Sequence, residues 1–122
     1  RIGLEYTQKL QSIGLDNCPV ILMENTSVYA QYTIQVDNRI EIQKNLKASG
    51  IPTAVHYPTI LCQQPALCCK NHLCDKGCHL TVAQSVSNRV LSLPMHPWLS
   101  HNDQMHVINS LWRAIKLTNS GP

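Results

Sequence analysis

Two stretches of the chain hold residues of types able to do chemistry. His56-Tyr57-Pro58 sets an imidazole beside a phenol at the end of a segment, Ile51 to Tyr57, whose composition favours extended structure. Side chains at a strand end commonly face a cleft, where an imidazole and a phenol can hydrogen-bond the oxygens of a polar ligand. On its own, such a triplet is more often a core histidine beside an aromatic at a strand end, because place in a fold does not establish function. The second stretch, Cys62 to His79, holds five of the six cysteines together with His72 and His79. Soft ligands bunched this closely could hold zinc, with Cys69, Cys74, Cys78 and either His72 or His79 supplying four ligands. The spacing lacks paired Cys-x-x-Cys knuckles, so free thiols in a reducing compartment are the plainer reading, and disulfides are less expected still.

The lysines offer no comparable pattern. Lys9, Lys44, Lys47 and Lys116 fall in segments of helical period, while Lys70 and Lys76 lie in the Cys-rich stretch. All six read as solvated surface charges.

The elements that must position these residues follow from periodicity. The chain opens in helical pattern, Ile2, Tyr6, Lys9 and Leu10 lying near one another with no N-cap ahead of them, as if a helix were entered partway along. Gly14 to Asn17 reads as a turn, and Pro19 to Met23 as a short apolar strand or extended segment. From Val28 to Val36 the residues Val28, Ala30, Tyr32, Ile34 and Val36 alternate with more polar neighbours, the period-two pattern of a strand with one buried face. Asp37 is the expected N-cap of a helix from about Asn38 to Ala48, with Ile40, Gln43, Leu46 and Lys47 on one side, Ile42 partly off it, and Gly50 as its end. Ile51 to Tyr57 is the expected second strand. Strand, helix and strand fit either a parallel crossover or half of a small α+β sandwich.

The remainder of the chain reads as a loop followed by two helices. Leu61 to His79 is a loop with a short helical turn near Gln64. Thr81 and Gln84 form a capping box for a helix ending near Leu91, with Val82, Ala83, Val86 and Val90 as its apolar face. Pro94 and Pro97 force an extended connection that packs Leu91, Leu93 and Met95 on the core. Ser100 and Asp103 cap the last helix, in which Met105, Ile108, Leu111, Trp112 and Ile115 recur at helical spacing. A domain of residues 1–117 and a disordered tail of 118–122 are expected.

Bulk properties narrow the field. A chain of 122 residues has the size of one domain. Only 14% of its residues are charged, against about 25% in ordinary globular proteins. So uncharged a surface is expected to be covered in part, and Ile42 and Trp98 stand outside the core pattern as candidates for it. Basic residues are scattered, so no nucleic-acid stripe is expected. No apolar run approaches the roughly 20 residues of a membrane span, nor does the start read as a signal peptide, so a cytoplasmic location is expected.

Four runs taken in order add a resemblance. Ser27-Val28-Tyr29-Ala30-Gln31-Tyr32-Thr33-Ile34, then Ser49-Gly50-Ile51-Pro52-Thr53-Ala54-Val55-His56-Tyr57-Pro58, then Gln64-Pro65-Ala66, then Arg89-Val90-Leu91-Ser92-Leu93-Pro94-Met95-His96-Pro97 resemble the C-terminal domain of DegT/DnrJ-type sugar aminotransferases. Within that family the chain is most similar to enzymes that aminate UDP-linked 3-keto sugar acids for surface polysaccharides. The resemblance spans roughly Arg1 to Ile115. It implies a pyridoxal-phosphate enzyme of the aspartate-aminotransferase fold, homodimeric, with active sites at the subunit interface, of which this chain is the smaller domain. The Schiff-base lysine and the acidic partner of the pyridinium nitrogen lie in the family's large domain, so no cofactor is expected on this chain alone and no catalytic residue is assigned to it. Substrate contacts transfer by position to His56 and Tyr57. Two departures stand out: Ile60-Leu61-Cys62 where many relatives carry a polar group, and the Cys-rich stretch where relatives carry an aromatic residue and a Gly-containing segment.

The expected architecture is therefore α+β, a small and mostly antiparallel sheet backed by helices. The expected function is that of a truncated or C-terminal part of a nucleotide-sugar aminotransferase, inactive as a transaminase alone, binding a UDP-sugar once assembled with a large domain or as a homodimer. Two other functions fit the sequence: a non-catalytic interaction or oligomerisation module, and a small zinc-binding domain built on the Cys-rich stretch.

Overall fold

The computed structural model describes residues 1–68 and 80–119. Its first helix, α1 (Ile2–Ser12), buries Ile2, Gly3, Tyr6 and Leu10 along one face, as the spacing predicts. The Tyr6 ring stacks on Tyr32 with centroids 4.9 Å apart, and Tyr29 adds a third ring 5.9 Å from Tyr32. A Cβ on Gly3 would come within 2.5 Å of the Tyr29 ring, so the bare backbone at residue 3 is what lets that ring lie on the helix.

Two strands, β1 (Tyr32–Gln35) and β2 (Val90–Leu93), pair antiparallel, Tyr32 opposite Leu93, Thr33 opposite Ser92, Ile34 opposite Leu91 and Gln35 opposite Val90. Alternation along the strands turns Tyr32, Ile34, Leu91 and Leu93 into the core and leaves Thr33 and Ser92 on the other face. Helices α2 (Arg39–Ala48) and α5 (His101–Asn119) pack against each other and complete the core with Ile42, Leu46, Val107, Ile108, Leu111 and Ala114. Short segments make the connections: a 3-10 turn at Leu61–Gln63, α3 (Pro65–Cys68) and α4 (Thr81–Arg89). The α+β class and the antiparallel pairing are as expected.

Several polar groups inside this core are paired, although the buried Gln104 Oε1 has no partner among the described residues. The Tyr6 hydroxyl donates to the Pro94 carbonyl at 3.0 Å, the Tyr32 and Thr7 hydroxyls meet at 2.7 Å, and buried Gln104 donates through Nε2 to the Ile2 carbonyl at 2.9 Å. The last bond ties α5 to the start of α1. Ser100 and Asp103 cap α5 as expected, the Asp103 N–H donating to Ser100 Oγ at 3.1 Å and that hydroxyl bonding the Asp103 carboxylate at 2.6 Å.

Several sequence expectations are corrected. The strand foreseen over Val28 to Val36 is only Tyr32–Gln35, because Tyr29 has a left-handed φ of +47° that breaks the extended run, leaving Val28 and Ala30 exposed. Ile51 to Tyr57 forms no strand beyond a single bridge from Ala54 to Ser92, and Pro19 to Met23 finds no strand partner. Conversely, Val90–Leu93, read as a helix end and connection, is the strand both others lean on. All four residues are buried, so no polar alternation advertises it.

The helices differ in detail as well. Asn38, left-handed at φ +53°, replaces Asp37 at the start of α2, and Asp37 instead pairs with Arg89 at 3.0 Å. The buried face of α2 carries Ile42 and Leu46, while Ile40 is 77% exposed, so Ile42 is a core residue and not part of an outer apolar surface. Gly50 ends α2 as expected: its φ of +76° suits a residue without Cβ, and the Ile51 N–H returns to the Leu46 carbonyl at 2.9 Å. No capping box forms at α4, where Leu80 precedes the helix, Gln84 bonds Ser87 and Asn88, and Val82 and Ala83 face outward. Finally, α5 takes in Thr118 and Asn119, two residues of the expected tail.

Two measurements check this packing. Ile42→Ala should lower unfolding stability by about 2–5 kcal/mol and Ile40→Ala by less than about 0.5 kcal/mol in urea titrations, whereas equal effects would contradict the buried face assigned to α2. Burial pushes the pKa values of the Tyr6 and Tyr32 phenols above their usual range. The folded chain keeps those protons while the unfolded chain releases them, so their contribution is complete below about pH 10 and declines above it. Tyr6→Phe should cost about 1 kcal/mol at pH 8 through the lost bond to Pro94, and should flatten the alkaline fall in stability relative to the wild type.

Candidate functional site

The residues singled out from sequence lie on the side of the sheet opposite the core face of Tyr32, Ile34, Leu91 and Leu93. In a strand the N–H and C=O of one residue point to the same edge, and those of Ser92 both go to Ala54, at 2.8 and 3.1 Å. Thr33 and Ser92 are therefore a non-hydrogen-bonded pair within the β1–β2 ladder, the kind that brings opposite side chains closest. Their hydroxyls meet at 2.8 Å. Ala54 shares the face of Ser92 through the bridge, and His56, two residues further on, returns to that face. His56 Nδ1 then lies 3.3 Å from Ser92 Oγ.

Around His56 is a shallow depression of about 300 Å³, lined also by Gln31, Thr53, Ala54, Ser92 and Met95. Gln43 of α2 donates to Thr53 Oγ1 at 3.2 Å and fixes a second hydroxyl on its wall. Tyr57 projects outward, 74% exposed, with its ring edge-on to His56 at 5.8 Å across a cis peptide bond. The two residues picked from sequence thus stand together at an open surface. The hydroxyls of Thr33 and Ser92 behind the ring were missed. Ser92 did carry a signal, as the one polar residue in the apolar run from Val90 to Leu93. A buried hydroxyl needs a partner, so a polar interruption in such a run points to one.

A larger hollow, about 750 Å³, adjoins this depression through Ala30 and Met95, which border both. Leu4, Ile21, Val28 and Tyr29 give it an apolar wall. Next to it Val20, Leu22 and Met23 are largely exposed, Met23 completely so at 103%. Trp98 is exposed as expected.

Other candidates contribute less. Lys9, Lys44, Lys47 and Lys116 lie on exposed helix faces, Lys44 near Glu41 at 3.5 Å and Lys116 over the Trp112 ring at 4.4 Å. Lys44 and Lys47 border an open groove along α2 in which no carboxylate stands. The described residues therefore do not fit a pyridoxal phosphate site, which needs an amine in a pocket facing an acidic partner. Lys70 and Lys76 lie outside the described residues, as do the zinc candidates Cys69, Cys74, Cys78, His72 and His79. Among the described residues no three His, Cys, Asp or Glu side chains are placed to hold a metal ion. Cys18 is half-buried, and burial pushes its thiol above the usual range. Leu61, one of the residues departing from the resemblance, is exposed on its 3-10 turn. No described helix is long and apolar enough to cross a membrane.

Comparison with known proteins extends the picture. The chain is 44% identical over 99 residues, 81% of its length, to a UDP-2-acetamido-2-deoxy-3-oxo-D-glucuronate aminotransferase of Pseudomonas aeruginosa, and covers 26% of that protein. It is 33% identical over 88 residues, 72% of its length, to a UDP-N-acetyl-3-dehydro-alpha-D-glucosamine 3-aminotransferase of Acidithiobacillus ferrooxidans, covering 22% of it. Among solved structures, a DegT DnrJ EryC1 StrS aminotransferase from Brucella abortus superposes with a TM-score of 0.77 at 30% identity, over 94% of this chain and 30% of that one. DesV of S. venezuelae gives the same TM-score at 28% identity, over 92% of this chain and 29% of its own. The chain thus spans about a quarter of the length of the curated relatives it matches. The model of the DegT/DnrJ/EryC1/StrS aminotransferase family matches residues 1–112, and the chain belongs to that family as a part-length representative of its fold.

Proposed function

We propose that this chain is the small-domain part of a pyridoxal-phosphate-dependent nucleotide-sugar aminotransferase, and that His56 and Tyr57 contact a UDP-sugar while the cofactor and its lysine are held elsewhere in the assembled enzyme. The observation that carries the reading is the juxtaposition of the His56 depression with the apolar hollow beside it. Binding sites gather at junctions between domains, and exposed apolar surface marks what a neighbouring domain covers. A large domain seated on Leu4, Ile21 and Val28 would end at the rim of the depression, which Ala30 and Met95 share. Family membership supports the reaction class, and the two relatives named for UDP-sugars support the substrate class.

In this reading the chain's own residues bind and orient. The His56 imidazole and the Tyr57 phenol hydrogen-bond sugar or phosphate oxygens, and Thr53, held by Gln43, offers a third polar group. The chain alone is inactive as a transaminase; transfer of the amino group requires the remainder of the enzyme. A homodimeric, cytoplasmic enzyme belongs to the same proposal. The exposed apolar surface also suits a second reading, a module that associates with a full-length aminotransferase, since the same face would serve.

Titration of the labelled protein with UDP-N-acetylglucosamine should move the NMR signals of His56 and Tyr57 at millimolar ligand. His56→Ala should weaken that binding about three- to tenfold, the loss of one hydrogen bond of roughly 0.5–1.5 kcal/mol. No signal movement at these residues would remove the substrate-contact role. Steady turnover of a UDP-3-keto sugar by the chain with added pyridoxal phosphate and glutamate would overturn its inactivity.

A further inference from the structure

Ser92 is buried, and its backbone is fully used by Ala54. Its hydroxyl nevertheless has two neighbours, Thr33 Oγ1 at 2.8 Å and His56 Nδ1 at 3.3 Å. A serine hydroxyl gives one proton and accepts through its lone pairs. Three directions of donation fit these distances. If Nδ1–H and Thr33 both donated to Ser92, the Ser92 proton would find no acceptor within the trio. If Nδ1–H donated to Ser92 and Ser92 to Thr33, the Thr33 proton would find no acceptor within the trio. If Thr33 donates to Ser92 and Ser92 donates to Nδ1, both hydroxyl protons are used, and the proton of the neutral ring resides on Nε2.

Resting on the substrate-contact reading of His56, we infer that Thr33 and Ser92 are positioning residues that lock the imidazole through Nδ1 and present Nε2–H to the depression as a hydrogen-bond donor. The group it meets is then an acceptor oxygen. Among the described residues no Lys or Arg lines this depression to meet a diphosphate. The acceptor is an oxygen of the sugar ring or its substituents, and the diphosphate lies outside the depression. Neither hydroxyl touches substrate. Both act through the ring, in the way that an outer hydrogen bond fixes which imidazole nitrogen is available for function.

The test reads the ring nitrogens of His56 by long-range proton–nitrogen NMR in the ligand-free protein above about pH 8, where an ordinary imidazole is neutral. Nδ1 should be unprotonated and displaced from the position of an unbonded ring nitrogen. Ser92→Ala should return it to that position, and Thr33→Val should return it part of the way. Ser92→Ala should also weaken UDP-N-acetylglucosamine about threefold, an effect that vanishes in the His56→Ala background if Ser92 acts only through the ring. A protonated Nδ1, unchanged ring nitrogens in Ser92→Ala, or an undiminished Ser92→Ala effect without His56 would each overturn the inference. If Ser92→Ala does not fold, Thr33→Val decides by the same nitrogen signal, since its side chain lies outside the core. Should the nitrogens move as expected while His56→Ala leaves affinity unchanged, the positioning stands and the substrate contact falls.

Discussion

Four residues, Val90–Leu93, cannot be buried unless their backbone groups are paired, and that requirement organises the molecule. A buried N–H or C=O without a partner is costly, so β2 must be bonded along both edges. β1 serves one edge and Ala54 the other, at Ser92. The first pairing places Tyr32 and Ile34 under the helices, and the second holds the segment leading to His56. Core and candidate site are thus fixed by the same strand. Its two faces divide the labour, Leu91 and Leu93 packing inward while Ser92 engages Thr33 and His56.

The helices close over this ribbon by means that are mostly local. α1 contributes the Tyr6 ring to a stack on Tyr32, and the bare backbone at Gly3 leaves room for the Tyr29 ring beside it. α2 ends where Gly50 turns the chain back, which seats Ile51 beside Leu46 in the core. α5 begins at a serine–aspartate cap and lays a continuous buried stripe across both. The Tyr6 and Tyr32 hydroxyls and Gln104 Nε2 each meet a partner in the interior. Exposed apolar side chains run along residues 20–23 and at Val28, with others such as Ile40, Val82 and Trp98 elsewhere on the surface.

Much of this was legible in the sequence where a local rule had no competitor. α1, the Gly50 stop, the Ser100 cap and the inward Ile108 and Leu111 of α5 follow from spacing and capping chemistry. The errors arise where tertiary pairing decides. Ile40 and Ile42 stand about 200° apart on a helix, so only one can face the core, and it is α5 that selects Ile42. The alternation from Val28 onward is genuine, yet strand formation needs a partner, and β2 extends only far enough to pair Tyr32 to Gln35. β2 itself was hidden because a fully buried strand lacks the polar rhythm by which strands are read. At the candidate site, His56 and Tyr57 were visible by type and by resemblance. The hydroxyls behind the imidazole were not, since Thr33 and Ser92 are 59 residues apart and become neighbours only through strand register.

The bond from Gln104 to the Ile2 carbonyl spans 102 residues, and that from Tyr6 to Pro94 spans 88. α1 and α5 are therefore walls of one interior. During synthesis Tyr6 emerges before the Tyr32 and Pro94 that it meets, and the Ile2 carbonyl waits longest, until Gln104 of α5 has left the ribosome. Contacts this distant in sequence delay closure, because the loop entropy is lost before the contact repays it. A nascent chain halted short of α5 would present an open apolar seam, the form of this polypeptide most exposed to chaperones and proteases.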